Sequence, residues 1–210
     1  MKNRKTFYHL VLDRSGSMTT CWKSTISALT DQMIKIRQMD LNHPEQEIYV
    51  SLCIFDNQIE FPFGVTKCSN ADFSILENLS PRGNTALFDA IGESIRQIDF
   101  VAGDSLSRQE ASVVMLVLTD GHENASTRYS SSMIRKEMDK LRATDLWTFA
   151  FIGADFDITA TAETFNADKS SQMNASKKNM HEAFASVNEN LDSYWSMKKI
   201  GKIKKNLFGE

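Results

Sequence analysis

A chain of 210 residues, 41% hydrophobic and 24% charged, has the balance of an ordinary globular protein and enough length to bury one substantial core. Its formal net charge of −3 gives no electrostatic reason to expect nucleic acid or an anionic membrane as a partner. No apolar run approaches the roughly 18 residues that span a bilayer, and Cys21, Cys53 and Cys68 make neither a zinc pattern nor a disulfide framework.

Three reduced thiols and no export signal favour the cytoplasm. The basic start Met1-Lys2-Asn3-Arg4-Lys5 leads directly into an apolar run with no small-residue cleavage site, so it reads as a mature strand rather than a leader. That first strand is expected over residues 7–12. It runs into Asp13-Arg14-Ser15-Gly16-Ser17, which sets one carboxylate and two hydroxyls on the turn after a strand. Oxygen donors of this kind suit a hard cation such as Mg2+, and the carboxyl ends of strands are where open α/β sheets carry their sites. By itself the motif also reads as a turn and helix N-cap.

Further along, Ile26, Leu29, Met33 and Ile36 fall on one face of a first helix. A second strand covers residues 48–55, and Asp56-Asn57 turns the chain into an antiparallel third strand over residues 58–65. Pro62 places that strand at a sheet edge, where its missing N–H costs little. A short helical segment over residues 71–79 precedes the loop Ser80-Pro81-Arg82-Gly83-Asn84, and Thr85 opens the helix that carries Leu87, Ile91, Ile95 and Ile98. Residues 113–118 form a continuously apolar run, as expected of a central parallel strand, and end on Thr119-Asp120-Gly121. A helix over residues 132–142, a strand over 146–152 and a helix over 157–164 follow. Residues 165–179 are the least readable, with a short edge strand expected around 169–173. A final helix over residues 180–197 closes a single domain, 1–197, and residues 198–210 read as a basic, loosely docked tail.

Taken together, Asp13, Ser15 and Ser17, the distant Thr85 and the distant Asp120 resemble the metal-ion-dependent adhesion site (MIDAS) of the von Willebrand factor A family, in the family's order and over nearly the whole chain. The resemblance is to stand-alone intracellular members of bacterial type, such as those associated with tellurium resistance. It implies a doubly wound, mostly parallel six-stranded Rossmann-like sheet of order 3-2-1-4-5-6, with strand three antiparallel and helices on both faces. It further implies a divalent cation, Mg2+ first with Mn2+ or Ca2+ as alternatives, held by those five residues. An ion with mostly neutral ligands stays electrophilic, so the expected partner is a protein that contributes an acidic side chain; nucleic acid and membrane are not expected partners.

Arg14, Trp22, Arg82 and His122 flank the ligand loops and are candidate rim contacts, because Trp and Arg are favoured in interface hot spots; Trp22 reads equally as a core-edge aromatic. Asp89 is either a support for the ligand set or a polar residue of a helix face, and Glu123 reads as a solvated loop charge. His9 reads as a packed core histidine. A Mg2+-dependent phosphohydrolase or phosphotransferase on a similar sheet is the competing function. It requires a nucleophile or base beside the metal. The Asp-x-Asp of haloacid-dehalogenase phosphatases is absent, Ser15 standing at its third position, and so is a phosphate-binding Gly-x-x-x-x-Gly-Lys loop. The expectation is therefore a binding module with no enzymatic activity.

Overall fold

The computed structural model describes residues 4–208. Six strands, β1 (Lys5–Asp13), β2 (Glu47–Phe55), β3 (Ile59–Lys67), β4 (Ala111–Thr119), β5 (Trp147–Ala154) and β6 (Gln172–Ala175), form one sheet of order β3-β2-β1-β4-β5-β6. β2 and β3 pair antiparallel, and the other pairs are parallel. Parallel neighbours require crossovers, and these are helical: α1 (Trp22–Asn42) joins β1 to β2, α2 (Leu87–Ser107) leads from β3 to β4, α3 (Ser131–Arg142) joins β4 to β5, and the short α4 (Thr159–Thr164) lies before β6. The helix α5 (Met180–Lys199) follows β6.

Strand alternation distributes one sheet's side chains to two cores. Tyr8, Leu10 and Leu12 of β1 pack with Leu29, Met33 and Ile36 of α1 and with Phe184, Val187 and Leu191 of α5. Phe7 and Val11 face the other way, toward Leu87, Ile91, Ile95 and Ile98 of α2 and Ile134 and Met138 of α3. Every residue of β4 is buried, as a strand covered on both faces must be. Pro62 sits in β3, whose residues are half-buried or exposed and whose pairing with β2 is interrupted by register shifts.

Two segments differ from the sequence expectation. The sixth strand lies at Gln172–Ala175, beyond a single 3-10 turn at Lys169–Ser171. Its four residues are half-buried or exposed, which leaves too little apolar alternation to fix its position. The tail is docked rather than loose. Leu207 is fully buried, the Thr148 hydroxyl donates to the Lys204 carbonyl at 2.6 Å, and Phe208 N–H donates to the Ser170 carbonyl at 2.8 Å. Lys198, expected to begin the tail, is instead a buried residue of α5, with its ammonium 2.5 Å from the Lys5 carbonyl and 2.6 Å from the Thr6 hydroxyl. Burial lowers its pKa from 10.5 to about 7. No helix among the described residues is long and apolar enough to cross a membrane.

Candidate metal centre

β1 and β4 are neighbours, and the chain leaves them in opposite directions across the sheet, toward α1 on one face and α3 on the other. The strand order therefore opens a cleft at their carboxyl ends. Asp13 closes β1 with no exposed surface. One of its oxygens accepts the Ser15 N–H at 2.7 Å, and the other accepts the Thr119 hydroxyl, from the end of β4, at 2.6 Å. From the loop after β4, Asp120 reaches back: the Ser17 hydroxyl donates to its Oδ1 at 2.7 Å, the Ser15 hydroxyl stands 3.5 Å from the same oxygen, and the two serine hydroxyls are 3.0 Å apart. Thr85, 3% exposed, approaches from the loop before α2. A methyl group built on Gly121 would lie 3.8 Å from the Thr85 hydroxyl and 4.0 Å from that of Ser17, so both hydroxyls border one small space that an unbranched residue leaves open.

Burial is the main influence on Asp13 and pushes its pKa up to about 6. The hydrogen bonds from Thr119 and Ser15 pull it down, and the neighbouring charge of Asp120 adds to the rise. Asp13 has no ion-pair partner among the described residues. An ionised, buried carboxylate beside a second one is costly unless a cation compensates both. Two carboxylates joined through the Ser15 and Ser17 hydroxyls, with the Thr85 hydroxyl bordering the same space as that of Ser17, are the donor chemistry that a hard, oxygen-seeking divalent ion would take. Among the described residues, no three His, Cys, Asp or Glu side chains form a group able to hold a metal; the candidate set has only two such residues, and its other donors are hydroxyls.

The loops that present these groups are fixed by hydrogen bonds. Gly16 N–H donates to the Gly83 carbonyl at 3.0 Å, and Arg82 N–H donates to the Arg14 carbonyl at 2.7 Å, which ties the first ligand loop to the one carrying Thr85. Gly83 has φ +69°, and a Cβ there would stand 2.5 Å from the Asn57 amide oxygen, so only glycine fits. The loop after β4 is lashed to the start of α2. Asn124 Oδ1 accepts the Thr85 N–H at 2.9 Å, and Glu123 accepts Phe88 N–H at 2.9 Å and Ser126 N–H at 2.7 Å. Asp89 accepts the N–H groups of Thr127, Arg128 and Tyr129 at 2.8–2.9 Å. Glu123 is therefore a cap on the positive end of α2 rather than a solvated charge, and Asp89 is a buried anchor for the loop rather than a polar surface residue. His9 is fully buried with its Nδ1 2.6 Å from the Ser51 hydroxyl, and burial lowers its pKa to about 3.

The four expected rim residues divide. Arg14 is 5% exposed and pairs with Asp56 at 3.0 Å and with Glu60. Trp22 is 8% exposed, with its indole N–H donating to the Leu79 carbonyl at 2.9 Å. Neither offers a face to a partner: the guanidinium is consumed by two carboxylates, and the indole completes the core edge over α1. Arg82 keeps an exposed side chain while pairing with Asp56 and Glu60 at 2.6 Å, and His122 is exposed, its ring edge-on to Phe156 at 4.6 Å. Two groups at the cleft escaped the sequence reading. One is Thr119, whose hydroxyl sits in plain view beside Asp120 in the strand-end motif. The other is Lys177, from the loop after β6, whose ammonium pairs with Asp120 and donates to the Ser17 carbonyl at 3.1 Å.

A doubly wound sheet with an oxygen-lined cleft at its switch point defines the class of protein. The model of the von Willebrand factor type A domain matches residues 9–193, and the chain belongs to that family. None of the curated proteins matches the chain at a significant level. Among solved structures, the chain resembles the vWF domain of the type V pili tip protein Mfa5 from Porphyromonas gingivalis, at TM-score 0.66 and 12% identity over 92% of this chain and 97% of that one. It also resembles proximal thread matrix protein 1 from the mussel byssus with a zinc-occupied MIDAS motif, at TM-score 0.58 and 16% identity over 90% of this chain and 46% of that one. A third is the von Willebrand factor type A protein from Catenulispora acidiphila, at TM-score 0.56 and 13% identity over 89% and 42%. The chain thus spans nearly all of the pilus domain and under half of the other two proteins. At these identities the likeness is one of fold.

Proposed function

We propose that this domain is a metal-dependent protein-interaction module whose ion, Mg2+ by preference, is held by Asp13, Ser15, Ser17, Thr85 and Asp120 and receives an acidic side chain from a partner protein. The observation that carries the reading is the buried Asp13 carboxylate, which has no ion-pair partner among the described residues and lies beside Asp120 and hydroxyl-bearing residues. Hydroxyl ligands quench little of an ion's charge. The bound ion would supply a strong electrophilic point for an incoming carboxylate, and of the four candidate rim residues Arg82 and His122 are the two that remain exposed. Two further facts support the reading: family membership, since these domains commonly act in metal-dependent adhesion, and the zinc-occupied MIDAS motif of the mussel protein.

The same reading makes the domain a binder rather than an enzyme. The Ser15 and Ser17 hydroxyls are directed at Asp120 and at each other, and His122 packs on Phe156, so the serines are disposed as ligands rather than as a nucleophile with its base. Three buried free thiols suit the reducing, cytoplasmic setting we propose for it.

The test is capture of partners from a cell lysate on immobilised protein in Mg2+ and in EDTA, with Asp13→Ala as control. Partners retained only by the wild-type protein in Mg2+ are the expected result. Identical capture in both buffers and by both proteins would place the binding surface elsewhere.

A further inference from the structure

The Lys177 ammonium stands at the carboxylate that the proposed ion needs. It pairs with Asp120 Oδ2 and donates to the Ser17 carbonyl at 3.1 Å, while the Asp120 side chain is fully buried and that of Lys177 is 18% exposed. The lysine is aimed there by its backbone. Its N–H donates to Asp155 Oδ1 at 3.0 Å, the Asp155 N–H donates to the Ala175 carbonyl at 2.8 Å, and the Ser24 hydroxyl reaches the Lys177 carbonyl at 3.4 Å. A loop beyond β6, at the sheet edge, thus sends a cation across to the end of β4, 57 positions away in sequence.

We propose that Lys177 is a tethered competitor of the metal ion, which holds the site closed with an internal cation and is released to the mouth of the cleft when a divalent ion takes Asp120. This rests on the metal-site reading above. An ammonium and a divalent cation on one buried carboxylate repel strongly at such separations, so the two states exclude each other. The lysine then lowers the apparent metal affinity by the fraction of molecules in which it occupies the site. By reciprocity the metal lowers the lysine's hold on Asp120 by the same factor. A freed Lys177 places a second positive charge beside the ion, suited to the same acidic partner.

Two measurements test this. The first is calorimetric titration of Mn2+ into the wild-type protein and Lys177→Met, with Lys177→Gln as a second neutral variant should the first fail to fold. The neutral variant is expected to bind at least about tenfold more tightly, equivalent to about 1.4 kcal/mol. Equal or weaker binding overturns the competitor while leaving the metal site standing; absence of binding by any protein overturns the metal site and the competitor with it. The second is acylation of lysines in the wild-type protein by an amine-reactive ester, read by mass spectrometry, with the exposed neighbour Lys178 as internal reference. Lys177 is expected to react faster relative to Lys178 in Mn2+ than in EDTA. An unchanged ratio in protein that binds Mn2+ refutes its release.

Discussion

Replacing Lys198 by Met should remove a specific pH dependence of stability. Lys198 is 1% exposed, and its ammonium donates to the Lys5 carbonyl and to the Thr6 and Ser112 hydroxyls, with no ion-pair partner among the described residues. Burial lowers its pKa from 10.5 to about 7. Above pH 7 the folded protein has released this proton while the unfolded chain still holds it. Unfolding therefore takes up a proton, and stability rises with pH by up to about 1.4 kcal/mol per unit until the unfolded lysine also titrates near 10.5. Below pH 7 both states are protonated and this contribution is flat. From pH 7 to 8.5, allowing for half-titration at the lower end, the gain is about 1.6 kcal/mol. Buried Cys53 and Cys68, their thiols pushed up to about 12, act oppositely once free thiols ionise, but they are common to both proteins and cancel in the difference. Urea denaturation at half-unit steps from pH 7 to 8.5 measures it. The wild-type curve should climb relative to Lys198→Met by that amount. Parallel profiles would show that Lys198 is not held neutral at the upper end and would refute the argument from burial.

Other substitutions test the scaffold of the site. Asp89→Ala strips three backbone N–H groups of a shared charged acceptor and should cost about 3 kcal/mol in urea denaturation, with a loss of Mn2+ affinity as the loop after β4 loosens; an effect under about 0.5 kcal/mol would show that the loop is held by other contacts. Gly83→Ala forces a side chain into left-handed backbone and against Asn57, and should lower stability by about 1–3 kcal/mol, read as a fall in Tm.

How much of this was legible in the sequence follows from the range of each interaction. The five oxygen-bearing residues sit at the ends of the apolar runs of β1 and β4 and at the head of the amphipathic α2, so ordinary periodicity placed them. The sheet order came from the resemblance, and the protein has the same order. Contacts between distant side chains and backbone leave no periodic trace. Asp89 and Glu123 look like surface acids until the chain 35–40 positions away is folded onto or from them. Lys177 is one lysine of an irregular loop, and only the position of β6 at the sheet edge brings it to Asp120. Arg14 and Trp22 carry interface chemistry in their residue types, yet Asp56 and Glu60 claim the one and the Leu79 carbonyl the other.

Asp13 and Asp120 are proposed to hold a divalent ion together with Ser15, Ser17 and Thr85. Thermal unfolding of the wild-type protein and of Asp13→Ala/Asp120→Ala in EDTA, and then across rising Mg2+ and Mn2+, tests it most directly, because an ion bound only by the folded state raises Tm with its concentration. The Tm of the wild-type protein is expected to rise and that of the double variant to stay flat, with both proteins folded in EDTA. An equal rise in both, or none in the wild-type protein at millimolar metal, would contradict it.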